Sequence, residues 1–446
     1  MYIKNTTFLV LGMQKSGISA TNFLLSMGGK VFIYDDGVSE SVKKNLKEAQ
    51  ENGAKICADP LIVLDSVDVL VLSPAVPVDH KVAIRARELN KRIIGEFELA
   101  SNYTTNLVVA ITGTNGKTTT CSLVDYALNK AEIKSTLVGN VGVPFTNKIG
   151  GANKEDIFVA EISSFQLETI NRFSPHIACV LNVTPDHLNR HYNMENYAYL
   201  KSKLLLNLRE SEFAVLNYDD NIVKQFSEKT RAKVVWFSTC EKVDGAYVED
   251  DFIYFKGEII CAVKDVRIIG AHNVQNALAS VCILKLLGLS NNAILEGLKT
   301  FTGVKHRVQK IRTLNGVTYF NDSKSTNADS CKRAVESLTS PTILIMGGYD
   351  KGLNYEDLMN TIKNNSNVKK IIFTGQSSKN MYAYAVNCGI EDVSIVKDFT
   401  LAVNLASSMA KDGYNVLLSP ATSSFDEFGS FEERGDKFIE IVENFK

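Results

Sequence analysis

Short apolar runs recur along the chain, spaced so that a helix fits between one run and the next. From residue 6 to about 95 the runs TFLVLG, KVFIYDD, DVLVLSP and RIIGEFEL alternate with the helix-like stretches SGISATNFLLSMG and DHKVAIRARELN. This alternation predicts a parallel α/β unit. A second series begins at LVVAITG (107–113) and continues through STLVGN, DIFVAEISS, HIACVLNVT and FAVLNYDD, with KTTTCSLVDYALNKA as a helix among them. Beyond VVWFST, the segment GAYVEDDFIYFKGEIICAV alternates in the manner of antiparallel strands, and HNVQNALASVCILKLLG and NNAILEGLKTF read as helices decorating the second domain. After Gly303 a third series runs VTYFNDS, TILIMGG, KKIIFTG, DVSIV and NVLLSPA, each followed by a helical pattern. The pattern predicts an α/β protein of three domains, 1–97, 98–302 and 303–446, and 446 residues at about 150 per domain give the same count. With no internal repeat and no low-complexity linker, the three are expected to pack around shared ligand clefts.

Composition narrows what such a chain does. Lys plus Arg number 49 against 50 Asp plus Glu, a net charge of -1, with 45% hydrophobic and 22% charged residues. No basic surplus exists to follow a nucleic acid and no acidic bias to keep the chain disordered, so a polyanionic ligand has to be met locally. The start MYIKNTTFLVLGMQKSG enters a strand directly, and no apolar stretch approaches the length of a membrane span. The expectation is a cytoplasmic protein without a membrane or nucleic-acid partner. Eight cysteines are scattered without a CxxC pair, several inside apolar runs such as ACVLN and SVCILKLLG, and are expected to be reduced and packed in cores.

The strongest local motif is AITGTNGKTTT, an apolar strand that runs into Gly113, Thr114, Asn115, Gly116, Lys117, Thr118 and Thr119 and then into a helix. Glycines let successive backbone N–H groups point inward, Lys117 brings a point charge to β- and γ-phosphates, and the Thr118 hydroxyl can ligate Mg²⁺. The spacing departs from a standard Walker A loop, which would place glycine where Ile111 stands. Downstream, DIFVAEISSF ends a strand in Glu161, placed like the metal-binding acid of many NTPase sites. HIACVLNVT then opens into PDHLNRH, where His187 and His191 stand at i, i+4. Leu188 occupies the place of the glutamate in HExxH, which disfavours zinc. In MENYAYLKSKLLLNL, Lys201 and Lys203 either face the site or snorkel on the surface, and composition favours snorkelling.

Other motifs leave alternatives open. Gly12–Gly17 followed by Asp35 resembles a dinucleotide fingerprint, but Gln14 stands where the backbone must approach a pyrophosphate. Another nucleotide is favoured, held by the helix amides at Lys15, Ser16 and Gly17, with Asp35 or Asp36 accepting from its base or sugar. Asn273 and Asn276 in GAHNVQNALA either cap a helix or reach an adenine edge. In the third domain KHRVQKI, NDSKSTN, MGGYDKG and SPATSSFDEFGSFEERG all follow strands or lie in loops, where α/β domains bind ligands.

Taken in order over nearly the whole chain, GTNGKTT, EISSFQLE, NVTPDHLNRH, AHNVQNALA, KHR, NDSKSTN and LLSPATSSFDEF resemble the Mur ligase family. The resemblance implies a Rossmann-like N-terminal domain for a UDP-sugar, a P-loop-type central ATPase domain, and a Rossmann-like C-terminal domain that brings an amino acid. EISSFQLE, SPATSSFDEF and the SPAVP loop at Ser73 are similar to the branch adding D-glutamate to UDP-N-acetylmuramoyl-L-alanine in peptidoglycan precursor synthesis, with ATP, Mg²⁺ at two sites, and a monomeric enzyme. Carried over by motif, it implies Lys117 for the γ-phosphate, and Thr118, Glu161, His187 and a carbamylated Lys201 around metal, with Lys203 as the competing lysine. Asn273, Asn276, Arg307 and Asp322 are implied as ATP contacts, the last two requiring domain closure. D-Glutamate is implied at Lys324, Thr326, Lys351, Ser424, Phe425 and Phe431. Lys15, Ser16, Asp35, Asp36, Ser73 and Asn140 are implied on the UDP-sugar side. Competing expectations are a folylpolyglutamate-type or later Mur ligase, an NTPase switch with no amino-acid pocket, and an oxidoreductase on the first domain.

Overall fold

The computed structural model describes residues 2–37, 39–268, 270–350 and 352–446. The chain forms two compact units, Met1–Phe301 and Thr302–Lys446. The first unit holds two sheets. Strands β1 (Thr7–Leu11), β2 (Lys30–Tyr34), β3 (Lys55–Ile56), β4 (Val69–Leu72) and β5 (Arg92–Gly95) make a parallel sheet in the order 3-2-1-4-5. The order reverses between β1 and β4, so the loops leaving their C-terminal ends flank a crevice of the kind where open α/β sheets bind ligands. Gly12 begins one of those loops and Ser73 the other, and the Ser73 hydroxyl donates to the Gly12 carbonyl at 2.6 Å. A Cβ on Gly17 would run into that same carbonyl, so only glycine lets the helix Lys15–Ser26 start so close to the turn.

The second sheet comprises β6 (Val108–Thr112), β7 (Ser135–Gly139), β8 (Ile157–Glu161), β9 (Ile177–Val180), β10 (Phe213–Asn217), β11 (Lys233–Ser238), β12 (Gly245–Glu249), β13 (Phe252–Phe255) and β14 (Glu258–Ala262). Its order is 14-13-12-11-10-9-6-8-7, parallel from β7 through β12 and antiparallel over β12–β13–β14, as the alternation in GAYVEDDFIYFKGEIICAV predicts. β6 lies between β8 and β9, so the ends of all three converge.

Some details of the first unit depart from the sequence reading, which did not single out β3. RIIGEFEL is a strand only to Gly95, after which Glu96–Ser101 is a helix. The expected helix MENYAYLKSKLLLNL ends at Ser202. Beyond it, bonds from Leu205 to Ser202 and from Leu208 to Leu205 tighten the chain and bury Leu204, Leu205 and Leu208 together.

The helix Glu96–Ser101, where a domain boundary was expected, serves both cores. Phe97 and Ala100 belong to the apolar cluster of the central sheet, with Phe97 against Phe145 and Phe173, while Leu99 belongs to that of the first sheet. Its two acids are buried and fully engaged. Glu96 accepts from the Thr146 amide (2.6 Å) and hydroxyl (2.7 Å), and Thr146 in turn meets Ser19 of the first domain's opening helix. Glu98, 1% exposed, accepts the backbone N–H groups of Asn171, Arg172 and Phe173 at 3.0–3.2 Å.

The second unit carries β15 (Gln309–Leu314), β16 (Val317–Asn321), β17 (Thr342–Gly347), β18 (Val368–Thr374), β19 (Val393–Ile395) and β20 (Asn415–Leu418) in the order 15-16-20-17-18-19. β15 is an antiparallel edge strand that the sequence pattern did not single out; the other five are parallel. Six of the eight cysteines are buried, as their apolar settings suggested, with Cys240 exposed and Cys388 between. Among the described residues no helix is long and apolar enough to cross a membrane.

Glu98→Ala should leave three N–H groups, that of Phe173 buried, without their acceptor and lower the unfolding free energy of the first unit by about 3 kcal/mol. Urea unfolding followed by circular dichroism measures it. Glu98→Gln should recover only part of the loss, because one end of the amide is itself a donor.

Candidate active site

All five residues of β6 are buried, and the strand delivers Gly113–Gly116 to the sheet's C-terminal edge. The loop is tied to Asn182, just beyond β9. The Asn115 amide donates to Asn182 Oδ1 (2.8 Å), Asn182 Nδ2 returns a bond to the Asn115 carbonyl (3.2 Å), and the Thr114 amide donates to the Asn182 carbonyl (2.9 Å). Thr114 Oγ1 also lies 3.2 Å from the Tyr197 hydroxyl. Gly116 has φ +84°, and a Cβ there would collide with Asn276 Oδ1. Asn276 is buried, receives the Thr120 hydroxyl at 3.4 Å and is held by its own donation to Asn273 Oδ1 at 2.9 Å. Gly270, not either asparagine, occupies the N-cap of the helix Ala271–Leu286. The capping alternative for Asn273 and Asn276 is thereby removed.

Lys117 opens the helix Lys117–Lys130, and its Nζ donates to the carbonyls of Gly113 (2.8 Å) and Thr114 (2.9 Å). Lys201 Nζ donates to the same Gly113 carbonyl at 2.8 Å and lies over the Tyr197 ring at 4.5 Å. Lys201 is 1% exposed, so the snorkelling expectation was wrong: the helix Met194–Ser202 turns this residue inward. Burial pushes its amine well below the usual lysine range, and the neighbouring Lys117 charge adds to the effect. Lys203 instead donates to the Glu168 carbonyl at 3.0 Å, away from the glycine loop.

Glu161 ends β8 at 2% exposure. One carboxylate oxygen accepts Asn140 Nδ2 at 2.6 Å; the other is buried without a hydrogen-bond partner. His187 is left-handed (φ +53°), half exposed, and packs on Phe165. His191 meets the same Phe165 ring but is buried, with Nε2 2.9 Å from Ser164 Oγ and its ring stacked on Tyr197. Burial, reinforced by Arg190, lowers its pKa to about 4. Among the described residues no three of His, Cys, Asp and Glu gather as a metal cluster.

At the first sheet's crevice, Lys15 begins the helix Lys15–Ser26, Ser16 follows, and Ser73 stands across the switch point. Asp35 is engaged internally, accepting from the Met13 amide (2.5 Å) and the Gly37 amide (2.7 Å), while Asp36 is exposed. The acid that suggested a sugar contact thus shapes the Gly12 turn.

In the second unit the loops after β16, β17 and β20 share one edge. Arg434, buried, donates to the carbonyls of Ser323 and Thr422 at 3.0 Å and to Ser323 Oγ at 3.0 Å, tying the NDSKSTN and SPATSS loops together. Ser323 Oγ donates to the Phe431 carbonyl at 2.8 Å. Thr326 and Lys324 lie in the first of these loops, with Lys324 Nζ 6.0 Å from the Phe431 ring centroid. Ser424 is buried with its hydroxyl unpartnered, as are those of Thr422 and Ser423, whereas Phe425 is 68% exposed. Arg307 is exposed. Lys351 lies outside the described residues. Asp322 sits beneath the loops rather than at their surface: it accepts from Ser419 Oγ (2.7 Å), Ser325 Oγ and the Val308 amide (3.2 Å).

Asn182, Tyr197 and Arg434 were not singled out in the sequence. Asn182 lay within the quoted motif HIACVLNVT, but its role depends on β9 pairing with β6, which spacing along the chain does not reveal.

A glycine loop with its lysine and a buried strand-end carboxylate, gathered where parallel strands converge, define a class: the phosphate-loop α/β proteins that use nucleotides. More particularly, the chain belongs to the Mur ligase family. The Mur ligase middle domain matches residues 111–284, and the Mur ligase, glutamate ligase domain matches residues 306–422. The chain is 40% identical over 455 residues to the UDP-N-acetylmuramoylalanine–D-glutamate ligase of Clostridioides difficile (strain 630), with all of both chains covered. Its likeness to the protein of the same name from Thermoanaerobacter sp. (strain X514) is 40% over 451 residues, covering 99% of each. The fold is shared with UDP-N-acetylmuramate-alanine ligase MurC from Thermotoga maritima (TM-score 0.60, 18% identity, 99% of this chain and 100% of that one). It is also shared with MurF from Acinetobacter baumannii (TM-score 0.62, 16% identity, 97% and 93%).

Burial raises the Asp322 carboxyl from 3.8 to about 6. A carboxyl that binds its proton more tightly in the folded state stabilises that state while protonated, so the contribution is full below pH 4 and is lost as pH rises to about 6. Wild-type stability of the second unit should therefore fall by about 3 kcal/mol over that window from this group. Asp322→Asn should flatten that part of the slope in denaturant titrations at stepped pH.

Proposed function

We propose that this protein is an ATP-dependent ligase that joins D-glutamate to UDP-N-acetylmuramoyl-L-alanine, a cytoplasmic step in making peptidoglycan precursors. The observation that carries the reading is the end-to-end likeness, at 40% identity, to proteins of that name. The substrates then set the chemistry. An L-alanyl carboxylate has no good leaving group, so the γ-phosphoryl of ATP is transferred to it. The D-glutamate amine attacks the acyl phosphate, and the tetrahedral adduct expels phosphate while the nitrogen loses its proton.

The residues divide this work. Lys117, now donating to two loop carbonyls, is the cation that exchanges them for γ-phosphate oxygens. The loop from Gly113 to Thr119 cradles the phosphates, with Asn273 and Asn276 on the nucleotide's side of the loop. A divalent cation fits the oxygen donors present. Glu161 holds a buried carboxylate oxygen with no partner, a costly arrangement that a hard cation relieves, and Thr118 supplies a hydroxyl at the head of the helix. When bound, Mg²⁺ spreads the charge of the transferring phosphoryl group. Glu161 and Thr118 would hold one ion, and His187 with Lys201 the other.

Lys201 is suited to carbamylation. A buried amine held toward its neutral form attacks CO₂, a C–N bond forms as one C–O π bond opens, one proton leaves, and the neutral amine becomes an anionic oxygen ligand. Lys203, bonded to the Glu168 carbonyl, is the weaker candidate. On this reading Lys15, Ser16, Asp35, Asp36, Ser73 and Asn140 line the UDP-sugar side. Arg307 and Asp322 serve ATP from the second unit, and Lys324, Thr326, Lys351, Ser424, Phe425 and Phe431 form the D-glutamate pocket. The enzyme acts as a monomer.

Phosphate release from ATP should require both UDP-N-acetylmuramoyl-L-alanine and D-glutamate, with L-glutamate, L-lysine and D-alanine giving little. Release that ignores the amino acid would remove the ligase reading. Lys117→Ala and His187→Ala should each cut turnover by at least about 100-fold. Lys201→Ala should lose activity similarly and regain part of it with acetate or formate; rescue of Lys203→Ala instead would move the carbamate.

A further inference from the structure

Arg190 lies in the segment that carries His187, yet it points away from the glycine loop. One edge of its guanidinium is bidentate on Glu168, with Nε to Oε1 at 3.0 Å and Nη2 to Oε2 at 2.6 Å. The other edge reaches three consecutive carbonyls of the first domain: Pro74 (3.4 Å), Ala75 (3.4 Å) and Val76 (3.1 Å). Its flat face covers the Phe165 ring at 5.0 Å. Both charged partners are withdrawn from solvent, 16% and 5% exposed. Two residues on, the Tyr192 hydroxyl donates to Asp79 at the far end of the same loop.

The loop's own sequence explains why it needs an outside donor. In Ser73-Pro74-Ala75-Val76-Pro77 two prolines lack N–H groups, so the carbonyls outnumber what the loop can satisfy internally. A planar fork with five N–H groups can hold a carboxylate and still serve carbonyls; an ammonium cannot do both in one plane. Glu168 in turn ends the short helix Ser164–Glu168 that follows β8 and Glu161. The chain of contacts therefore runs from the strand end that presents Glu161, through Glu168 and Arg190, to the loop that begins with Ser73.

We infer that Arg190 is a positioning residue: with Glu168 it latches the Ser73–Asp79 loop to the central domain and so fixes the UDP-sugar pocket in register with the phosphate loop. The ligand in this inference rests on the function proposed above, while the latch itself does not. The loop belongs to the first domain's ligand crevice, and a UDP-sugar seated there must deliver its carboxylate to the phosphoryl group, so freedom in the loop would be felt as weaker productive binding of that substrate.

The test uses Arg190→Lys, which keeps a cation beside Glu168 but removes the fork. Hydrogen exchange of the substrate-free protein should show faster exchange at the amides of Ala75–Asp79, with the strands of both sheets unchanged. Steady-state kinetics should show the KM for UDP-N-acetylmuramoyl-L-alanine raised by about tenfold or more and the KM for ATP unchanged. Unaltered loop exchange overturns the latch. Faster exchange with both KM values unchanged overturns the positioning role, as does a parallel loss in every parameter with a lower melting temperature. If Arg190→Lys does not fold, Glu168→Gln with Arg190→Gln removes both charges together and should give the same exchange and KM pattern. A wild-type protein that turns over no UDP-sugar sinks the proposed function, and the exchange experiment still decides the latch.

Discussion

Two lysine amines share one carbonyl oxygen, that of Gly113, and much of the first unit is arranged around making this tolerable. Like charges do not sit side by side in a buried place without cost. Burial first, and the neighbouring Lys117 charge second, push the Lys201 amine well below its usual range, while Lys117 keeps a second carbonyl at Thr114. The glycine loop can offer that oxygen only because Asn182 and Asn276 hold it from either side. The loop thus brings two lysine amines to its own backbone, with the Thr114 and Asn115 amides tied to Asn182.

The near-zero net charge acquires a meaning in this light. With 49 Lys and Arg against 50 acids there is no basic surplus to meet two phosphate-rich substrates, and the basic side chains of the interior are individually placed. Lys201 under Tyr197, Arg434 beneath the SPATSS loop and Arg190 over Phe165 are each matched to oxygens a few ångströms away. Such charges act at short range, where salt screens them least.

Sequence and structure agree most where a motif is local. β6 with its glycine loop, the acid at the end of β8 and the strand series of all three sheets follow from periodicity and turn chemistry read within a dozen residues. What escaped depends on pairing across the chain. Lys201 looked like a surface lysine because its helix is polar around it, and only Tyr197 and the return of Gly113 enclose it. Asp35 was read for a base or sugar from its place after β2, and the bonds its oxygens accept from the Met13 and Gly37 amides, which shape the turn, could not be read from that place. Asn182, Arg190 and Arg434 carry no spacing signature, since each ties together segments far apart in sequence. The edge strand β15 was missed because its residues, half exposed and partly charged, lack the apolar run that marks the interior strands.

The helix Glu96–Ser101 bears on how such proteins can be taken apart. Phe97 and Leu99, two positions apart, belong to different cores, and the acids beside them bind the backbone of the central domain and, through Thr146, meet the first domain's opening helix. A gene cut at this point and joined to the central domain of a relative would divide a single interlocked seam between two ancestries. Recombination between family members has a natural crossover near residue 302, where the two compact units part, and a poor one at residue 97.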